Sequence, residues 1–325
     1  MKKIKWGIIG CGDVTELKSG PAFNKVNNSE LIAVMRRHAV KAADYAARHH
    51  VPKWYDDAQK LINDPDVNAI YIATPPSSHK QYTIAAITAG KPVYVEKPMA
   101  LNAAEALEMA SLAAQKKIKL CIAHYRREQP KFKKIKELID AGAIGDIRFC
   151  RLQFLRPSLS TDALKLEKTS WRVNPAVSGG GLFHDLAPHQ LDLVLYFFGA
   201  VKHASGIAGN QAGIYQAADI VTGNILFDSG IVFDGLWSFA AAPGEGADTC
   251  EIIGSKGKIS FAVFDHTGFS LTINSKKELF SFDPLEHVQQ PLIQKVVEYF
   301  LNEAANPSSG DDAVKLMSVM DRFTS

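Results

Sequence analysis

Ile4-Lys5-Trp6-Gly7-Ile8-Ile9-Gly10-Cys11-Gly12-Asp13-Val14-Thr15 is the stretch whose reading decides the fold. An apolar run of strand length ends on a glycine, a second glycine stands two residues later, and a polar, helix-compatible segment begins. Glycine permits a tight turn and lets a pyrophosphate approach the backbone. The stretch therefore predicts a first strand and its dinucleotide-binding turn, with Gly10, Gly12, Asp13 and Val14 on the cofactor side. The third fingerprint position holds Thr15 instead of glycine. A lone Gly-x-Gly proves little, so the reading depends on the pattern of the next hundred or so residues.

That pattern is one of alternation. Residues 30–35 form a second apolar run, and residues 39–49 are alanine-rich and helical. A short strand at 53–55 precedes Asp56, read as the cap of a helix at 58–62. Strands are predicted at 69–73, 92–95 and 119–123, with helices at 78–89 and from the cap Asn102 to about residue 116. Such alternation implies right-handed crossovers and a parallel, doubly wound Rossmann sheet. Ligands of these sheets bind outside the carboxyl ends of the strands.

The residues after each strand thus become candidates. Arg36 and Arg37 come after the second strand, where an NAD-binding chain usually carries an acid for the ribose 2′-hydroxyl. A guanidinium fork suits a phosphate, so NADP is the predicted cofactor, with NAD as the alternative. Thr74-Pro75-Pro76-Ser77-Ser78-His79 comes after the next long strand. Its prolines stiffen a loop able to lie against the cofactor, and Ser77 or Ser78 can cap the next helix. Thr74, Pro75 and His79 are assigned to cofactor binding, as are Glu96 and Lys97 of Glu96-Lys97-Pro98.

Composition bounds the answer. At 325 residues the chain is expected to form two domains, at roughly 150 residues each. It is 46% hydrophobic and 22% charged, ordinary for a globular protein. A net charge of +3 gives no argument for nucleic acid. The cysteines, Cys11, Cys121, Cys150 and Cys250, are scattered and form no Cys-x-x-Cys pair. No metal site and no disulfide framework are expected, and a reducing, cytoplasmic setting fits. The basic start meets Asp13 and Glu16 too soon for a leader. No apolar run approaches the about 18 residues of a membrane span.

The second half changes pattern. An amphipathic helix at 130–141 precedes strand candidates at 147–155, 203–206, 217–227, 231–239, 249–253, 258–264, 269–273 and 278–282. Hairpin signals such as Phe227-Asp228-Ser229-Gly230 make a large open sheet that is mainly antiparallel. The predicted domains are 1–123 and 124–325, the second being α+β, with closing helices near 292–323 packing back on the first. One face of the open sheet needs a cover, which predicts a homodimer or homotetramer.

Within this half lies Gly179-Gly180-Gly181-Leu182-Phe183-His184-Asp185-Leu186-Ala187-Pro188-His189-Gln190-Leu191-Asp192. Asp185, His189, Asp192 and Tyr196 share one face of a helix that is otherwise apolar. A stripe of this kind either pairs internally or faces a ligand. An Asp four residues before a His can orient an imidazole for proton transfer.

Taken in order, Gly10-x-Gly12, Glu96-Lys97-Pro98 and Gly179-Gly180-Gly181-x-x-x-Asp185-x-x-x-His189-x-x-Asp192 resemble the glucose–fructose oxidoreductase, inositol dehydrogenase and rhizopine-catabolism family (Gfo/Idh/MocA). Arg127-x-x-Pro130, Trp171-Arg172 and Ile253-Gly254-Ser255-Lys256-Gly257 extend the resemblance along the chain. Ala187 stands where the family often has glycine, and Pro188 is next to it. The resemblance implies hydride transfer between a nicotinamide and an alcohol or carbonyl carbon of a sugar, polyol, anhydrosugar or dihydrodiol. It also implies Lys97, Asp185 and His189 as the catalytic group. The mechanism expected on this basis sets the substrate hydroxyl between Lys97 and His189. Trp171 and Arg172 are assigned to the cofactor; Tyr125, Phe154, Arg156 and His184 are assigned to the substrate. Two other activities fit the same residues: a glycoside hydrolase or lyase that oxidises its substrate transiently, and a non-catalytic sensor.

Overall fold

A computed structural model describes residues 2–265 and 267–325. Contacts divide the chain into two units. One comprises Met1–Tyr125 with Glu286–Met317, the other Arg126–Leu285 with Ser318–Ser325. No helix among the described residues is long and apolar enough to cross a membrane.

The first unit is built on six parallel strands: β1 (Ile4–Ile9), β2 (Ser29–Met35), β3 (Lys53–Tyr55), β4 (Ala69–Ile72), β5 (Val93–Val95) and β6 (Leu120–Ile122). Their order, β3-β2-β1-β4-β5-β6, is that of a Rossmann sheet. The short apolar runs suit strands covered on both faces. Connecting them are α1 (Asp13–Leu17), α2 (Ala39–Arg48), α3 (Ala58–Ile62), α4 (His79–Thr88) and α5 (Ala103–Lys116). On one side the core is aromatic: Trp6 packs on Phe23 at 4.8 Å and on Phe300 at 5.5 Å, and Tyr71 stacks on Tyr94 at 5.0 Å. Phe300 comes from the late helix Gln290–Phe300, whose carboxyl end is bound by Lys119 through the carbonyls of Tyr299 and Phe300.

Two caps need correction. The expected cap Asp56 is displaced by Asp57, whose carboxylate accepts from the amides of Gln59 and Lys60 at 2.7 and 3.1 Å. Asp56 sits one residue too early and pairs with Lys60 at 3.7 Å. Ser78 occupies the cap position of α4 but makes no side-chain cap bond; its hydroxyl donates back to the Pro75 carbonyl at 3.1 Å. Asn102 caps α5 as its sequence indicated, accepting from Glu105 N at 3.0 Å.

The second unit carries an eight-stranded sheet in the order β14-β13-β12-β11-β7-β10-β9-β8. Its strands are β7 (Ile147–Pro157), β8 (Val201–Gly209), β9 (Ile220–Phe227), β10 (Val232–Ala241), β11 (Ala247–Gly254), β12 (Gly257–Phe261), β13 (Gly268–Ile273) and β14 (Lys276–Ser281). Among the described residues, only the β7–β10 ladder of this sheet is parallel. Along β7, Cys150, Leu152 and Phe154 are buried while Phe149, Arg151 and Gln153 are exposed, the period-two pattern of a sheet packed on one face. Helices of this unit are α6 (Pro130–Asp140), the short α7 (Thr161–Lys165), α8 (Glu167–Ser170) and α9 (Pro175–Ser178), and α10 (Gly181–Phe198). α10 lies on the sheet through Phe183, 5.2 Å from Trp237, and Phe198, 5.4 Å from Phe227. The sheet also joins two distant thiols, Cys150 and Cys250, at 3.7 Å.

Candidate active site

In the first unit the candidates gather at the carboxyl ends of the strands. The Gly10 and Cys11 amides donate to the Met35 carbonyl, which ties the glycine turn to the end of β2. Gly10 has φ +94°, and a Cβ there would lie 2.7 Å from Thr74 Cγ2. Only glycine meets both demands. At Gly12 a Cβ would meet nothing nearer than the Gly10 carbonyl oxygen at 4.0 Å, so the turn is open on that side. Asp13 is exposed and Val14 half-buried beside this opening. The buried hydroxyl of Thr74 has no partner among the described residues. An open glycine turn, an adjacent orphan hydroxyl and a neighbouring arginine fit a dinucleotide.

Arg36 reaches back from the end of β2 to the Cys11 carbonyl at 3.4 Å. Arg37 lines a cavity of about 300 Å³ together with Met35, Asp56, Asp57, Gln81 and Tyr82. This cavity flanks the ends of β2 and β3, where a Rossmann sheet receives the adenosine end of its cofactor.

Glu96 and His79 look inward. The Glu96 carboxylate accepts from Tyr71 OH and Gln289 Nε2, both at 2.6 Å, and from the Lys97 amide at 3.2 Å. Burial and the Glu96 charge push the Tyr71 phenol well above its ordinary pKa, which keeps it a donor. Gln289 also accepts from Tyr94 OH at 3.0 Å. Lys97 is therefore presented by a backbone anchored on a buried carboxylate, and the Lys97–Pro98 bond is cis. The His79 ring is fully buried, with Nε2 2.7 Å from the Thr74 carbonyl and Nδ1 2.9 Å from the Pro98 carbonyl. It ties the loop after β4 to the loop after β5, and burial lowers its pKa. Tyr125 is buried in the aromatic core of this unit, and Pro75 begins the loop that His79 holds.

In the second unit the glycine triplet shapes the start of α10. Gly179 and Gly181 have φ of +93° and +77°, and a Cβ at Gly180 would collide with the His184 ring. Burial pushes His184 down to about 4, so it is neutral near pH 7. Despite Pro188, α10 runs unbroken to Phe198. Its polar stripe divides in two. Asp192 is spent internally: buried Arg127 donates to it from Nε at 3.0 and 2.9 Å and from Nη2 at 2.6 Å. The Arg127 guanidinium also lies 5.4 Å from the Tyr196 ring. Asp185, less buried, accepts from Arg172 Nε at 3.1 Å, and the Arg172 guanidinium stacks on Trp171 at 4.5 Å.

His189, one turn after Asp185, is buried and meets the edge of Phe264 at 5.6 Å with the rings at 89°. Phe154 is buried behind Phe264 at 5.0 Å, and exposed Arg156 stacks on Phe154 at 5.0 Å. Phe264, Gln289 and Tyr71 escape a reading of the sequence as site residues. Gln289 meets Glu96 across 193 residues, and no local pattern marks it.

A Rossmann sheet whose first strand ends in an open glycine turn defines a dinucleotide-binding protein. Residues 4–124 match the family described as "Oxidoreductase family, NAD-binding Rossmann fold", and residues 132–260 match the GFO/IDH/MocA C-terminal domain. The chain belongs to this Gfo/Idh/MocA oxidoreductase family. It is 44% identical to Oxidoreductase P35 of Formosa agariphila over 321 residues, 99% of this chain and 98% of that one. It is 27% identical over 296 residues to the trans-1,2-dihydrobenzene-1,2-diol dehydrogenase of Xenopus laevis, covering 89% of this chain and 83% of the relative. The fold matches a levoglucosan dehydrogenase solved with NADH and levoglucosan, at TM-score 0.87 and 22% identity, over 99% of this chain and 96% of that one.

Proposed function

We propose that the protein is an NADP(H)-dependent dehydrogenase or reductase acting on an alcohol or carbonyl carbon of a sugar, polyol, anhydrosugar or dihydrodiol. The observation that carries this reading is the ion pair of Arg172 with Asp185, one helical turn ahead of His189. Asp185 is held in place by the Arg172 guanidinium, and the imidazole one turn on is the group assigned to the proton. His189 takes the proton of the substrate hydroxyl in the oxidative direction and returns it in the reductive one. The Lys97 ammonium stabilises the charge developing on the substrate oxygen. Asp185 orients the imidazole and the substrate. A nicotinamide cofactor, when bound, would supply the hydride acceptor or donor. Gly10, Gly12 and Thr74 would hold its pyrophosphate, and Arg36 and Arg37 a 2′-phosphate.

The test is absorbance at the reduced-nicotinamide band across a panel of sugars, polyols, anhydrosugars and dihydrodiols, with NADP and NAD run side by side. Turnover favouring NADP supports the whole reading. Turnover with NAD alone overturns the assignment of Arg36 and Arg37. Silence across the panel with both cofactors, followed by product release from glycosides without net cofactor turnover, overturns the dehydrogenase reading in favour of the transiently oxidising hydrolase.

The same proposal includes a cytoplasmic setting and a homodimer or homotetramer through the outer face of the large sheet, where Phe149 and Val232 are exposed ladder partners. Sedimentation at monomer mass would refute the oligomer.

A further inference from the structure

The segment 262–265, between β12 and β13, is held by charge to a degree its position does not require. Arg126, 3% exposed, donates from Nη1 to the Val263 carbonyl at 2.6 Å. Lys131, 1% exposed, donates to the carbonyls of Ala262 and Asp265 at 2.8 and 2.6 Å. The Asp248 carboxylate in turn accepts from the amides of Val263 and Phe264 at 3.0 and 2.6 Å. Two buried cations and one carboxylate thus fix both the donors and the acceptors of a few residues of backbone. Burying an ammonium is costly unless its protons are used, and here they are used on this loop. What the loop presents is Phe264. One of its contacts is the Arg126 guanidinium at 4.6 Å, another is Phe154, and a third is the His189 imidazole, met edge to face. Edge-to-face contact fixes the tilt of one ring against the other.

We propose that the Arg126–Lys131–Asp248 bracket exists to hold Phe264 against His189, making Phe264 a positioning residue for the proton-transfer step. The inference rests on the proposed role of His189. Without the ring, the imidazole keeps its place on α10 but gains rotational freedom about its side chain. A displacement on the order of 1 Å at a reacting group is enough to lower turnover up to about 10²-fold.

The experiment uses the full chain and compares Phe264→Leu, Phe264→Tyr, Asp248→Asn and His189→Ala. Each is measured for kcat and KM on an alcohol the parent oxidises, for NADPH affinity by fluorescence titration, and for thermal midpoint. Phe264→Leu keeps most of the packing volume while removing the aromatic edge. The expected result is a kcat about tenfold lower for Phe264→Leu, with NADPH affinity and thermal midpoint near the parent's. Phe264→Tyr should restore kcat to within about threefold, and Asp248→Asn should lower kcat in the same direction as Phe264→Leu. A Phe264→Leu enzyme with the parent's kcat overturns the proposal. So does a loss that Phe264→Tyr does not reverse, or one that merely tracks the thermal midpoint. A His189→Ala enzyme with undiminished turnover overturns the role of His189 instead, so the two failures are told apart.

Discussion

Arg172 donates from Nε to the Asp185 carboxylate at 3.1 Å while its guanidinium stacks on Trp171. One residue of a loop between short helices thereby holds the direction of a carboxylate on α10, a turn before His189. Removing His189 should lower kcat by about 10²–10⁴-fold, equivalent to roughly 3–5 kcal/mol in the barrier. Arg172→Met should have a smaller effect, about 10-fold, because it frees Asp185 without removing it. Steady-state kinetics of the two variants and the double variant check this. Additive losses would show that Asp185 and His189 do not work as a unit.

The cofactor assignment makes a separate prediction. Arg36→Glu places at the end of β2 the acid that holds a ribose 2′-hydroxyl. NADPH affinity should fall by at least about tenfold, or roughly 1.5–3 kcal/mol of lost charge-assisted bonding. NADH affinity should hold or rise. Fluorescence titrations with both cofactors are the check, and an equal loss for the two would indicate damage to the turn instead.

At Gly10 the prediction concerns stability. A Cβ on a backbone at φ +94° would sit 2.7 Å from Thr74 Cγ2 and 2.8 Å from the Thr74 amide nitrogen. Gly10→Ala should cost more than about 1–2 kcal/mol in urea unfolding, from strain and collision together. Gly12→Ala, with open space at its Cβ, should cost less in stability and more in cofactor affinity.

Lys131 gives the molecule a pH signature. Burial pushes its pKa down to about 8 from the ordinary 10.5. Between those values the folded chain binds fewer protons here than the unfolded chain does, so this residue's contribution to stability rises with pH across that window. Below about pH 8 the amine is charged in both states and the contribution is flat. The unfolding free energy of the parent minus that of Lys131→Met should therefore climb between pH 8 and 10.5, by on the order of 1–3 kcal/mol. Denaturation series at several pH values measure it, and a difference that falls with pH would contradict it.

Much of the architecture is written in the sequence because its signals are local. Ile4–Ile9 with Gly10-x-Gly12 directly after it fixes a strand and a turn, and the alternation through residue 123 fixes a parallel sheet, which the six-stranded order bears out. Alternating burial along β7 was likewise legible, since a sheet with one covered face imposes a period of two. Caps were less so: Asp56 and Asp57 are adjacent acids, and only the angle at which the chain enters α3 selects Asp57.

The helical spacing of Asp185, His189 and Asp192 could be read from the sequence alone, but not the division of that stripe. Arg127 draws Asp192 into a buried internal pair, while Arg172 holds the less buried Asp185. Each partner lies on a different element, so packing made the choice. The same holds for Glu96, whose neighbours in the chain suggest a ligand contact and whose carboxylate turns inward to Tyr71 and Gln289. It holds for Cys150 and Cys250, brought together by the β7–β11 ladder, and for Phe264 at the edge of His189. Local chemistry is set by residue type and spacing along the chain, which a sequence displays directly. Which buried charge meets which partner is set by how strands and helices dock, and that depends on contacts between residues far apart in the chain.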